Sequence, residues 1–96
     1  MIKHIVFWKI QNDNQKKNNM LKMKQILEAL VGVVPGLLKA EVGFNFNPNG
    51  FDVSLYSELE SKKALDTYQN HPAHLKVKEF VHNVTIDRAV CDYEIN

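Results

Sequence analysis

Residues 2 to 10, IKHIVFWKI, are rich in β-branched and aromatic side chains and contain neither glycine nor proline, the composition of a β-strand. Alternate side chains of a strand point to opposite faces, so His4, Val6, Trp8 and Ile10 share one face, and Ile5 and Phe7 lie on the other. Both faces are substantially apolar. Such a strand needs cover on both sides, and one layer of helices supplies only half of it.

The rest of the chain shows how that cover is arranged. NDNQKKNN follows, with Asn12, Asp13 and Asn14 as turn residues and candidate N-caps. Met20, Met23, Leu27, Leu30 and Val34 then recur three or four residues apart, predicting a long amphipathic helix that Pro35-Gly36 ends. LLKAEVGFNF alternates, with Leu38, Ala40, Val42, Phe44 and Phe46 on one face and Lys39, Glu41 and Asn45 on the other, and predicts a second strand. NPNG at residues 47 to 50 is a turn, and FDVSLYSEL behind it is a third strand, so the two strands form a hairpin. Ser61 caps a short helix holding Ala64, Leu65 and Tyr68. Pro72 breaks it and begins another, with Val77, Phe80, Val81 and Val84 facing inward. RAVCDYEI, residues 88 to 95, closes the chain as a fourth strand.

The order β-α-β-β-α-β predicts an α+β fold of the ferredoxin-like kind: one domain over residues 1 to 96, with a four-stranded antiparallel sheet and helices on one face. A chain of 96 residues buries only about two-thirds of its unfolded surface, so the core is thin. With helices on one face, the second apolar face of the sheet is too large a patch for a monomer. The simplest cover is a second copy of the chain, the two sheets meeting face to face in a symmetric homodimer.

Charge excludes several functions. Twelve Lys and Arg against eleven Asp and Glu give a formal net charge of +1, and the clustered lysines are interrupted by acidic residues and asparagines, so no nucleic-acid patch is expected. No apolar run is long enough to span a bilayer, and no signal segment is recognisable. The single cysteine, Cys91, cannot form an internal disulfide, and its strand context predicts a buried, inert thiol. Together these predict a cytoplasmic protein. The four glycines, at 32, 36, 43 and 50, form no phosphate-binding loop, so no nucleotide or flavin is expected.

The chemistry-bearing residues concentrate in YQNHPAHLKVKEF, residues 68 to 80. A histidine of near-neutral pKa can take a proton from carbon beside a carbonyl, and a tyrosine hydroxyl can hold the developing oxyanion, so Tyr68 and His74 are candidate catalytic residues. The plainer alternative makes Tyr68 a core residue and gives His74 a local backbone partner. His71 precedes a proline and reads as a helix boundary. His71, His74 and His82 lack recognisable further ligands, so no metal is expected. His4 sits on an apolar strand face, where it must find a partner, as at an interface, or line a wet cavity. Trp8, Phe44 and Phe46 are candidates for lining a pocket for an apolar ligand, or else belong to core and interface.

MIKHIVFWKI, PGLLKAEVGFNF, YQNHPAHLKVKEFV and DRAVCDYEI together resemble the stress-responsive dimeric α/β-barrel family over nearly the whole chain. The resemblance implies a ferredoxin-like subunit that pairs into a barrel, with a cavity between each sheet and its helices or within the barrel. It also implies a stress-related role. A plant cyclase of the family closes a polyketide thioester by an aldol step, using a tyrosine and a histidine of its Y-x-x-H-P-A-H segment. Those positions are Tyr68 and His74 here, and its first-strand histidine corresponds to His4. The resemblance thus implies a homodimer binding a small apolar molecule, or alternatively a cofactor-independent cyclase, isomerase or oxygenase. The asparagine-tryptophan-histidine set of haem-degrading relatives is not recognisable, so no cofactor is expected. A cavity reaching both Tyr68 and His74 would favour the enzyme.

Overall fold

A computed structural model describes residues Met1–Asn96. Its elements are β1 (Ile2–Ile10), α1 (Lys16–Glu28), β2 (Leu37–Phe44), β3 (Val53–Leu59), α2 (Lys62–Asn70), α3 (Pro72–Val84) and β4 (Thr85–Glu94). The strands form one four-stranded antiparallel sheet in the order β2-β3-β1-β4. This is the ferredoxin-like fold, with the second helical region divided at Pro72. No helix is long and apolar enough to cross a membrane.

The alternation of β1 sets the layers. Ile2, His4, Val6, Trp8 and Ile10 are buried beneath the helices, whereas Phe7 and Lys9 are exposed on the opposite face. Register continues the buried face into β3, where Leu55 and Val53 lie beside Val6 and Trp8. Met23 and Leu27 of α1, Tyr68 of α2, and Val77, Val81 and Val84 of α3 complete the core. The bare face carries Ile5 and Phe7, paired with Tyr56 and Ser54 on one side and with Cys91 and Ala89 on the other. Cys91 is therefore exposed in the single chain rather than buried, because strand alternation sends it away from the helices with Ile5.

Helix α1 ends at Glu28, short of the expected Pro35-Gly36 stop. Leu30 and Val34 are buried all the same, but they reach the core from turns. The last turn tightens, with Leu30 N bonding Leu27 O at 3.3 Å and Val31 N bonding Glu28 O at 3.4 Å. Gly32 then turns the chain at φ 87°, in the left-handed region. Gly36 is constrained more tightly: its φ is 83°, and a Cβ there would stand 2.7 Å from Ala64 Cβ. The helix begins without a side-chain cap, since Asp13 Oδ1 accepts a turn bond from Gln15 N at 2.8 Å.

Strand β2 is an edge whose outward groups are held by α1. Glu28 accepts from Val42 N at 2.9 Å, and Lys24 donates to Val42 O at 2.8 Å and to Glu28 at 2.7 Å. An irregularity between Leu37 and Lys39 turns Leu37 into the core and leaves Leu38 exposed, which reverses the expected start of that face. Strand β4 begins at Thr85, earlier than residue 88, because α3 runs directly into it; Thr85 Oγ1 donates to Val81 O at 2.8 Å.

Candidate functional site

The site begins with a backbone vacancy made by a proline. Tyr68 lies near the end of α2, where its carbonyl would ordinarily accept from the amide four residues on. That residue is Pro72, which has no N–H. His71 N reaches the carbonyl only at 3.4 Å, and His74 supplies the better donor, its Nδ1 at 2.9 Å from Tyr68 O. His71 has extended backbone, as expected before proline, and its own Nδ1 accepts from Ala73 N at 3.1 Å to cap α3. One histidine thus opens the second helix while the other closes the first.

A carbonyl only accepts, so the His74 Nδ1 carries the proton and its Nε2 holds the free lone pair when the ring is neutral. Burial lowers the His74 pKa from 6.5 to about 4, with a smaller opposing effect from the Tyr68 carbonyl, so the ring is neutral at ordinary pH. The same burial pushes the Tyr68 hydroxyl well above its usual value, keeping it a proton donor. The two rings stack, with centroids 3.9 Å apart.

His4 approaches from the sheet. Its ring stands edge-on to Tyr68, centroids 6.0 Å apart, and its Nδ1 bonds Asp92 Oδ1. The partner comes from register, because His4 lies directly opposite Asp92 in the β1–β4 pairing. His4 is therefore a cleft histidine beneath the helices and does not lie on the bare sheet face. Its backbone carbonyl is fixed too, accepting from Ser57 Oγ at 2.7 Å.

His4, Tyr68 and His74 line a single half-open cleft of about 610 Å³ between α3 and the β1–β4 part of the sheet. Its apolar lining includes Val6, Trp8, Leu27, Leu55, Val77 and Val81. No fully buried side-chain nitrogen or oxygen lacks a partner, and neither Tyr68 Oη nor the Nε2 atoms of His4 and His74 bonds within the chain. All three polar atoms therefore open onto the cleft.

Trp8 lies in that cleft, but Phe44 and Phe46 do not. Phe44 borders separate shallow depressions near the hairpin and α1, and Phe46 stands 99% exposed beyond the end of β2. The strand stops at Phe44 because Asn45 begins the hairpin loop, donating from Nδ2 to Phe51 O at 2.6 Å. No three His, Cys, Asp or Glu side chains converge in the chain, so the spacing of His71, His74 and His82 assembles no ligand set. Asp92, Lys78 and Arg88 are additions to the residues singled out from sequence. Only pairing across β1 and β4 brings Asp92 to His4 and Arg88 to Trp8.

The stress responsive A/B barrel domain family matches residues 2–95. Comparison with curated proteins finds no match. Among solved structures, the chain is similar to a dimeric protein of unknown function with a ferredoxin-like fold from Bacteroides fragilis, at 33% identity and a TM-score of 0.90, covering 98% of this chain and 95% of that one. It is also similar to a hydroxynitrile lyase from Passiflora edulis, at 19% identity and a TM-score of 0.86, covering 99% and 93%. A Dabb-family protein from Mesorhizobium loti matches at 19% identity and a TM-score of 0.78, covering 99% and 96%. The two at 19% share the fold alone. The family match spans almost the whole chain, and the chain belongs to the stress-responsive A/B barrel domain family.

Proposed function

We propose that this domain binds a small, largely apolar carbonyl compound in the cleft and moves a proton on it without a cofactor. The observation carrying this reading is the opening of Tyr68 Oη, His4 Nε2 and His74 Nε2 onto one apolar cleft. Tyr68, held protonated by burial, donates to the carbonyl oxygen and stabilises the enolate that forms. His4 is the candidate base, since Asp92 holds its Nδ1 and leaves Nε2 free, whereas burial makes His74 resist protonation. His74 positions Tyr68 by stacking and by its bond to the Tyr68 carbonyl. Proton removal beside a carbonyl is the opening step of the aldol-type closure implied by the resemblance, and a hydroxynitrile lyase occurs on the same fold.

The functional unit is a homodimer in which a second copy covers the face bearing Ile5 and Phe7, in keeping with the dimeric Bacteroides fragilis relative. The test of the chemistry is deuterium exchange at the methyl carbon of acetophenone in heavy water, followed by proton NMR. Exchange above the buffer rate that falls in Tyr68→Phe and in His4→Gln supports the reading. A wild-type rate equal to buffer, or variants as active as wild type, would overturn it.

A further inference from the structure

We infer that the compound held in this cleft is an anion, with a carboxylate or phosphate group seated between Lys78 and Arg88; this rests on the cleft reading above. Lys78 comes from α3 and Arg88 from β4, so the cations stand on opposite walls of the cleft. Lys78 follows His74 by one helical turn, a rise of about 6 Å. Arg88 faces inward because it lies opposite Trp8 in the β1–β4 register. The lysine ammonium donates to Gln69 O at 2.8 Å, which draws it toward the end of α2, next to Tyr68 in sequence.

Neither cation has a counter-ion. The chain's ion pairs join Lys3 to Glu58, His4 to Asp92, Lys16 to Asp52, Lys24 to Glu28, Lys39 to Glu41 and Lys62 to Glu94, and none includes Lys78 or Arg88. Of the acidic groups nearby, Asp92 is held by His4, and Asp87 lines the same cleft, where its Oδ1 accepts from Arg88 N at 2.8 Å without ion-pairing to either cation, so one carboxylate faces two positive charges. Burial, and secondarily the charge of Arg88, lower the Lys78 pKa, so the two cations oppose each other across the cleft. In a chain of net charge +1 this is a local excess that an anionic ligand removes. Its apolar body then rests on Trp8, Val77 and Val81, with the reacting carbon toward Tyr68 and His4.

Three aryl methyl ketones, one neutral and two with an anionic para substituent, provide the test: acetophenone, 4-acetylbenzoate and 4-acetylphenyl phosphate, titrated into the 15N-labelled chain at neutral pH and low salt. The charged ketones should bind roughly tenfold or more tightly than acetophenone, with amide shifts around Tyr68, Lys78 and Arg88. The tighter of the two charged ligands identifies carboxylate or phosphate as the anion. The preference should disappear in the Lys78→Gln, Arg88→Gln double variant and persist in Lys78→Arg, with the amide spectrum reporting that each is folded. Equal binding of all three ketones at the cleft overturns the anion and leaves the cleft reading standing, as does a double variant that keeps the preference. No cleft shifts with any ketone overturns both.

Discussion

His74 Nδ1 lies 2.9 Å from the Tyr68 carbonyl, the group that Pro72 leaves without its helical donor. Removing the ring therefore leaves a buried carbonyl with only the long 3.4 Å bond from His71 N, as well as opening a cavity. His74→Ala should cost about 2–4 kcal/mol in urea unfolding. His74→Asn places an amide donor near the position of Nδ1 and should recover roughly half of the loss. Equal costs for the two variants would remove the carbonyl from the account.

The same histidine makes stability depend on pH. Its folded pKa, about 4, lies below the ordinary 6.5, so on acidification the unfolded chain takes up the proton first. The contribution is complete above pH 6.5, is lost as pH falls toward 4, and amounts to about 3 kcal/mol at most. Glu28 and Glu58, both held below the usual carboxylate range by lysine partners, add a loss at lower pH. The difference between wild type and His74→Asn isolates the histidine. Parallel urea midpoints of the two proteins from pH 7 to pH 4 would contradict the assignment.

The fold was legible wherever one local pattern decided the face. Alternation along IKHIVFWKI sorted β1 into two layers, and Ser61, His71 and Pro72 marked the helix boundaries by their own backbone chemistry. Leu30 and Val34 kept the spacing of a helix while lying in turns, because burial at that spacing does not reveal the left-handed residue at Gly32. Tyr68 and His74 were legible because both stand in one motif around a proline. Asp92 was not, since its meeting with His4 depends on the register of two strands from opposite ends of the chain. Phe46 followed the alternation of β2 past the point where Asn45 had ended it.

The bare face of the sheet predicts assembly. Phe7 is 42% exposed there, its ring 6.0 Å from that of Phe51. Light scattering at micromolar concentration should give twice the chain mass for wild type. Phe7→Asp should be monomeric, because a dimer would bury an unpaired carboxylate. Leu21→Asp, at an exposed position on α1, should leave the dimer intact. A monomeric wild type, or a dimeric Phe7→Asp, would refute face-to-face pairing.

The bond from His4 to Asp92 predicts a tautomer that NMR can read without any substrate. A carboxylate only accepts, so the neutral His4 ring carries its proton on Nδ1 and presents a lone pair at Nε2 to the cleft. Long-range proton–nitrogen spectra should show this form for both His4 and His74, each held by a separate acceptor. Asp92→Ala removes only the acceptor of His4. Its ring should shift toward the Nε2-protonated form while His74 stays unchanged as an internal control, and Asp92→Asn, whose amide oxygen still accepts, should preserve the wild-type form. The exchange rate should fall in Asp92→Ala by on the order of tenfold to a hundredfold, as for a residue acting through its neighbour. A His4 ring indifferent to Asp92→Ala would overturn Asp92 as the group that fixes its tautomer.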